Sequence, residues 1–145
     1  AAVAMITRST VPAVVARTPG ELIAEDGGLR SFADADEAMT ADALFASAHG
    51  LVLQRPAMSW TVGAMRTALE NGLLMFDLRW GAKGHAAGGP GHMVVVAGIR
   101  GDGDAGTTLR VFDPWPPNKG ARCSVNHASW SRHTAGNICR VFLHA

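Results

Sequence analysis

Two apolar stretches decide the fold of this chain, Gly91-His92-Met93-Val94-Val95-Val96-Ala97-Gly98-Ile99 and Val111-Phe112-Asp113-Pro114-Trp115. Both are rich in β-branched or aromatic residues, which favours strands. Residues 100–106, between them, contain mostly glycine and aspartate, a composition typical of a tight turn. We therefore predict an antiparallel hairpin that carries a histidine on one strand and a carboxylate on the next.

His92 begins the first strand and Asp113 ends the second, so these residues are adjacent in an antiparallel pair. Directly opposite Cβ atoms lie roughly 4.5–5.5 Å apart, within reach of a hydrogen bond between imidazole and carboxylate. Each residue alone is weak evidence, because histidines are often structural and Asp-Pro often opens a turn. Together they predict a general base with an orienting acid, two parts of a nucleophile–base–acid triad.

Length and composition bound the class of protein. The 145 residues are 48% hydrophobic and 17% charged, which predicts one globular domain over residues 1–145. No apolar run is long enough to span a bilayer, and no signal peptide is visible. A net charge of +1 gives no reason to expect nucleic-acid binding. We therefore expect neither a membrane protein nor a nucleic-acid partner.

The charge is unevenly distributed along the chain. Residues 1–50 carry three basic and seven acidic side chains, whereas residues 51–145 carry ten basic and five acidic ones. A solvated acidic helix near Asp34–Asp42 explains the asymmetry most simply. The alternative is a polar molecule with one face suited to a charged protein partner.

The remaining sequence alternates between helical and extended patterns. We predict helices at residues 1–8 and 31–48, and a third helix that is capped by Ser59 or Thr61 and ends at Gly72. Strands are predicted at 51–53, 73–78, 122–125 and 137–144, and helical turns at 20–28 and 127–132. Pro12 and Pro19 predict an irregular connection over Thr10–Pro19. Because helices come first and strands dominate later, the predicted class is α+β, with N-terminal helices packed on a C-terminal antiparallel sheet.

The two hairpin segments resemble the histidine and aspartate segments of papain-like cysteine proteases. The most similar are the bacterial effector type represented by AvrRpt2 and the related C39-like peptidases. Residues 1–6 (AAVAMI) resemble the part of the family's first helix that follows a Cys-Trp motif. Thr61–Leu78 matches the helix and strand that the family places before the histidine. The resemblance implies a papain-like fold.

By this resemblance His92 is the general base and Asp113 its orienting acid. The nucleophilic cysteine is expected just before Ala1, with an oxyanion-hole glutamine further upstream. We expect the chain as it stands to be inactive, whether the cysteine was trimmed, replaced or lost in a degenerate member. Cys123 and Cys139 are poor substitutes, because both follow Asp113 whereas the family order is Cys, His, Asp.

Other patterns predict no cofactor and no metal. Residues 101–106 match G-x-G-x-x-G, but a strand rather than a helix follows, which excludes a dinucleotide site. The remaining histidines and the two cysteines lack metal-ligand spacing. The four tryptophans are expected to pack at the edge of the core, although Trp115 follows Asp113 closely enough to line a groove. These four are Trp60, Trp80, Trp115 and Trp130.

The predicted function is therefore a secreted cysteine endopeptidase, a bacterial effector or toxin delivered into the cytoplasm of a target cell. Its expected partners are a protein or peptide substrate and, for a toxin, an inhibitory immunity protein. Two alternatives remain open. One is a cell-wall amidase similar to NlpC/P60 or CHAP enzymes, and the other is a catalytically dead papain-like fold that binds proteins.

Overall fold

The fold is taken from a computed structural model that describes residues 1–54, 60–79, 91–116, 118–136 and 138–144, without the side chains of Arg79, Asp104 and Cys139. The helices are α1 (Ala2–Ile6), α2 (Val11–Arg17), α3 (Ala35–Ala48), α4 (Val62–Glu70), α5 (Gly103–Gly106) and α6 (His127–Thr134). The strands are β1 (Leu51–Gln54), β2 (Leu74–Arg79), β3 (Gly91–Arg100), β4 (Thr108–Asp113), β5 (Ala121–Asn126) and β6 (Ile138–His144). None of the helices described is long and apolar enough to cross a bilayer.

The strands form one sheet in the order β1-β6-β2-β3-β4-β5, and every neighbouring pair is antiparallel. The predicted α+β class with an antiparallel sheet is thereby confirmed. The last strand, β6, lies between β1 and β2 rather than at an edge. The middle of the sheet is therefore built from segments that are far apart in sequence.

Alternate residues of the central strands pack into two cores, one on each face of the sheet. On the first face Met75, Val95 and Phe142 are buried beneath α1 and α3. On the second face Phe76 and Val96 pack with side chains from α4 and α6. Strands covered on both faces read as continuous apolar runs, which explains the patterns of β2 and β3.

The predicted hairpin of β3 and β4 is confirmed, but its connection is not a tight turn. Residues 103–106 form α5, and the register shifts between Val96 and Gly98. Gly101 has a φ of +104°, and a Cβ there would collide with the carbonyl of Gly106. The guanidinium of Arg66 donates to the Gly101 carbonyl at 2.7 Å and holds this connection against α4.

The irregular connection predicted for Thr10–Pro19 is wrong, because Val11–Arg17 is α2. Pro12 lies in the first turn of the helix, where a missing backbone N–H removes no intrahelical hydrogen bond. Thr10 caps this turn by accepting the Ala13 N–H at 3.3 Å. A proline taken as a helix breaker is here part of a helix start.

Candidate active site

The side chains of His92 and Asp113 meet as predicted. Nε2 of His92 donates to Oδ1 of Asp113 at 2.7 Å. The two side chains keep 15% and 27% of their exposure, so the pair is partly shielded but open on one side. A hydrogen bond from Nε2 to a carboxylate orients the imidazole ring and favours the tautomer that carries its proton on Nε2.

The register of β3 and β4 explains this contact. Val95 lies opposite Phe112, and continuing that register places Asp113 opposite Val94. His92 is two residues from Val94 and on the same side of the strand, so it is a diagonal neighbour of Asp113. Sequence reasoning expected directly opposite residues, whereas the structure brings the two together across a diagonal.

Asp113 also holds its own loop in place. The same Oδ1 that binds His92 accepts the backbone N–H of Trp115 at 2.8 Å, which is an Asx-turn contact. The side chain therefore both opens the turn after β4 and fixes the imidazole. The structural interpretation of Asp-Pro as a turn opener and the predicted contact with His92 therefore apply to the same side chain.

His92 opens onto a cleft of about 530 Å³. Its lining includes Ala1, Ala2, Val3, His92, Met93 and Trp115. The start of α1 thus faces the same space as the imidazole, although the two are about ninety residues apart in sequence. Trp115 keeps 58% of its exposure at the edge of this cleft, which agrees with its predicted place in a groove.

An ion cluster that sequence reasoning missed lies next to Gly91, the first residue of β3. Asp77 of β2 is 3% exposed and faces Arg140 of β6, its partner in the strand register. Nε of Arg140 donates to Oδ2 of Asp77 at 2.6 Å, and a second guanidinium nitrogen contacts Asp42 of α3. Burial raises the pKa of Asp77, and the charge and hydrogen bond of Arg140 act against that rise.

This cluster explains why residue 91 is a glycine. A Cβ on Gly91 would lie 2.7 Å from Oδ1 of Asp77, closer than carbon and oxygen tolerate. The Asp77 carboxylate is buried and held by Arg140, so it has little freedom to move away. The ion cluster therefore packs directly against the residue before His92.

Replacing Gly91 with alanine is expected to destabilise the fold by about 1–3 kcal/mol, the usual cost of forcing an atom into a packed site. Chemical denaturation monitored by tryptophan fluorescence measures this change. Gly63→Ala is the matched control, since its Cβ meets nothing closer than 4.0 Å within α4 and alanine favours helix. Equal stability of the Gly91→Ala protein and the unaltered protein would contradict the packing described.

Of the cysteine and histidine side chains that the structure describes, His92 is the one that lines this cleft. Cys123 is exposed on β5, where its thiol contacts the Val111 carbonyl at 3.8 Å, and it does not line the His92 cleft. Cys139 lies in β6 as predicted, with its side chain outside the described residues. His127 is buried and bonded to the Trp60 carbonyl at 2.9 Å. Within the described residues no His, Cys, Asp or Glu group is arranged to hold a metal ion.

The predicted core-edge role of the tryptophans is met by two of them. Trp60 and Trp130 are both buried and pack edge-on against Phe76. Trp80 lies outside the described residues, as does His85. Of the three tryptophans that the structure describes, Trp115 is the one that borders the His92 cleft.

The family model of the papain-like cysteine protease AvrRpt2 matches residues 6–130, a segment that holds β1 to β5 and includes His92 and Asp113. No curated protein and no solved structure matches the chain. Because the family match covers most of the sequence, the chain belongs to the family of papain-like cysteine proteases represented by AvrRpt2.

Proposed function

We propose that this chain carries the general base and the orienting acid of a papain-like cysteine endopeptidase, whose thiol is supplied by the residue preceding Ala1. The observation that supports this most directly is the shared cleft of His92 and the start of α1. A residue bonded to Ala1 would adjoin the helix start that lines this cleft together with the imidazole. Helix starts also favour the thiolate over the thiol, since their dipole stabilises negative charge.

The hydrogen bond to Asp113 defines the proton transfers in this proposal. Nδ1 of His92 takes the thiol proton, and the thiolate attacks the carbonyl carbon of the scissile peptide bond. The C–N bond then breaks, the imidazolium gives its proton to the leaving amine, and an acyl-enzyme thioester remains. His92 next deprotonates a water molecule, whose oxygen attacks the thioester carbonyl carbon. The C–S bond then breaks, the carboxylic acid product leaves, and the imidazolium returns its proton to the thiolate. Throughout, Asp113 holds the ring in one orientation and stabilises its cationic form.

The lining of the cleft favours a substrate with an apolar side chain near the scissile bond. Four large apolar side chains that line this cleft each keep between 38% and 58% of their exposure. They are Val11, Val15, Leu29 and Trp115. Exposed large apolar side chains gathered around one concave site indicate a binding surface. We therefore propose peptides with bulky apolar residues as the substrate class.

To test this proposal, the full-length encoded protein is incubated with a peptide library, and the cleavage products are identified by mass spectrometry. We expect products whose formation is abolished by iodoacetamide and unaffected by a metal chelator. The same sample should carry the alkyl group on the residue before Ala1, as peptide mapping shows directly. Cleavage that survives alkylation, or a non-cysteine residue at that position, would overturn the proposal.

The same assay, run with purified cell wall as a second substrate, separates the alternatives. Release of cell-wall peptides without cleavage of proteins would favour the amidase reaction, and tight peptide binding without turnover would favour a binding module. The secreted-effector role, delivery into a target cell and an immunity-type inhibitor stay predictions from the family resemblance. They concern the protein's biological setting rather than the chemistry of His92.

A further inference from the structure

A second cleft, which His92 does not line, borders the end of β4 and the start of β5. It has a volume of about 590 Å³ and an apolar floor made of Met5, Leu73 and Phe112. Lys119 and Arg122 stand at its rim, and both are exposed. Asp113 also lines it, so this cleft adjoins the acid that orients His92. An apolar floor with cations at its rim fits a peptide segment that carries both apolar and acidic side chains.

Two arginines near this cleft, Arg110 and Arg122, contact the aromatic ring of Phe112. The guanidinium carbon of Arg122 lies 5.4 Å from the centre of the Phe112 ring, and that of Arg110 lies 6.0 Å from it. Cation–π contacts of this kind orient an arginine without neutralising its charge. In the part of the chain that the structure describes, no carboxylate pairs with Arg110, Lys119 or Arg122. Their mutual repulsion is relieved by an anionic ligand.

The neighbouring strand offers backbone groups for the same ligand. β5 is an edge of the described sheet, and its residues 121–124 are exposed. An edge strand can pair with an extended peptide, whose alternate side chains then project toward the flanking surface. Arg122 and Ser124 lie opposite Phe112 and Arg110 in the strand register, so the basic side chains share one face of β4 and β5.

From these observations we propose that the surface formed by Arg110, Lys119 and Arg122 beside β5 binds an acidic segment of the peptide substrate. This inference rests on the proposed endopeptidase function, because the two clefts are lined by neighbouring residues: Pro114 lines the His92 cleft, and Asp113 lines the second cleft. It adds a selection rule: substrates carry acidic residues outside the apolar segment held near His92.

The test measures binding separately from cleavage. The probe is a fluorescein-labelled peptide in which glutamate alternates with valine and threonine, compared with the same peptide carrying glutamine for every glutamate. In fluorescence anisotropy we expect the acidic peptide to bind about fivefold to tenfold more tightly, since solvent-exposed ion pairs are individually weak. The preference should shrink as the salt concentration rises.

Arg110→Gln combined with Arg122→Gln should remove the preference for the acidic peptide. Arg132→Gln is the matched control, because Arg132 is an exposed arginine on α6, away from this cleft. Equal binding of both peptides, or a preference that survives the double substitution, would overturn the proposal. So would equally tight binding of a single-stranded oligonucleotide, since that result indicates a general polyanion surface.

A cleavage measurement keeps the two proposals distinguishable. If the full-length protein cleaves acidic and amide versions of one substrate equally well, the acidic-segment proposal fails while the endopeptidase function stands. If it cleaves neither but binds the acidic peptide selectively, the endopeptidase function fails and the basic surface stands as a binding site.

Discussion

Replacing Arg140 with methionine should lower the free energy of unfolding by about 3 kcal/mol at neutral pH, near the lower end of the cost of breaking a buried ion pair. The loss arises because Asp77 is 3% exposed and would keep its charge without a partner. Arg140 itself keeps 31% of its side-chain exposure, which places the expected cost at the low end. Urea denaturation followed by tryptophan fluorescence measures it.

The loss in free energy of unfolding caused by Arg140→Met should increase as the pH rises. Burial raises the pKa of Asp77 above its ordinary value of 3.8, and removing Arg140 deletes the main opposing influence. A carboxyl group with a higher pKa in the folded state binds its proton more tightly there. The penalty is therefore absent below the unfolded-state pKa and grows as the pH rises toward the folded-state pKa. We expect the full deficit at neutral pH and a smaller one as the pH approaches about 4.

Two further proteins separate charge from packing in this cluster. Asp77→Asn combined with Arg140→Met removes both charges and should be more stable than Arg140→Met alone, since a neutral amide is less costly to bury than an unpaired carboxylate. Arg132→Met, which removes an exposed arginine from α6, should change stability by less than about 0.5 kcal/mol. An Arg140→Met protein as stable as this control would show that Arg140 does not stabilise Asp77.

The His92–Asp113 contact could be predicted because it depends on one local pairing. The two residues are 21 positions apart and lie on consecutive strands, so a hairpin prediction was enough to bring them together. Their diagonal placement was not foreseen, because the bulge between Val96 and Gly98 alters the register inside the hairpin. Strand patterns in a sequence do not show such a shift.

The Asp77–Arg140 contact could not be predicted in the same way, because 63 positions separate the two residues and β6 inserts between β1 and β2. A signal was nevertheless present. Asp77 and Arg140 are lone opposite charges inside the apolar runs Leu73–Leu78 and Ile138–Leu143. A single charge in a buried strand requires a partner, so a pair of such strands indicates that they are neighbours. Helix α2 was missed for a local reason. Pro12 was interpreted as a helix breaker, although proline is well accommodated in the first turn of a helix.

His92→Ala should reduce kcat/KM for peptide cleavage by the full-length protein by a factor of roughly 10³ or more, the scale of losing a general base that acts in several steps. Without the imidazole neither the thiol proton nor the leaving amine has a partner for proton transfer. The rate of thiol alkylation measured against pH should change as well, because the thiolate loses its cationic neighbour. His133→Ala is the matched control, since this exposed histidine bonds the Ser129 carbonyl on α6, far from the cleft.

Asp113→Asn distinguishes the role of the acid from that of the base. The amide oxygen can still accept the Trp115 N–H, so the turn after β4 should survive. The substitution removes a negative charge beside the imidazole. The loss in kcat/KM should be smaller than for His92→Ala, because in the proposed mechanism Asp113 acts on the reaction through His92. The alkylation profile should shift in the same direction as in His92→Ala but by less. A His92→Ala protein that keeps thiol-dependent cleavage would assign the base elsewhere. A greater loss in Asp113→Asn than in His92→Ala would show that the carboxylate does more than orient the ring.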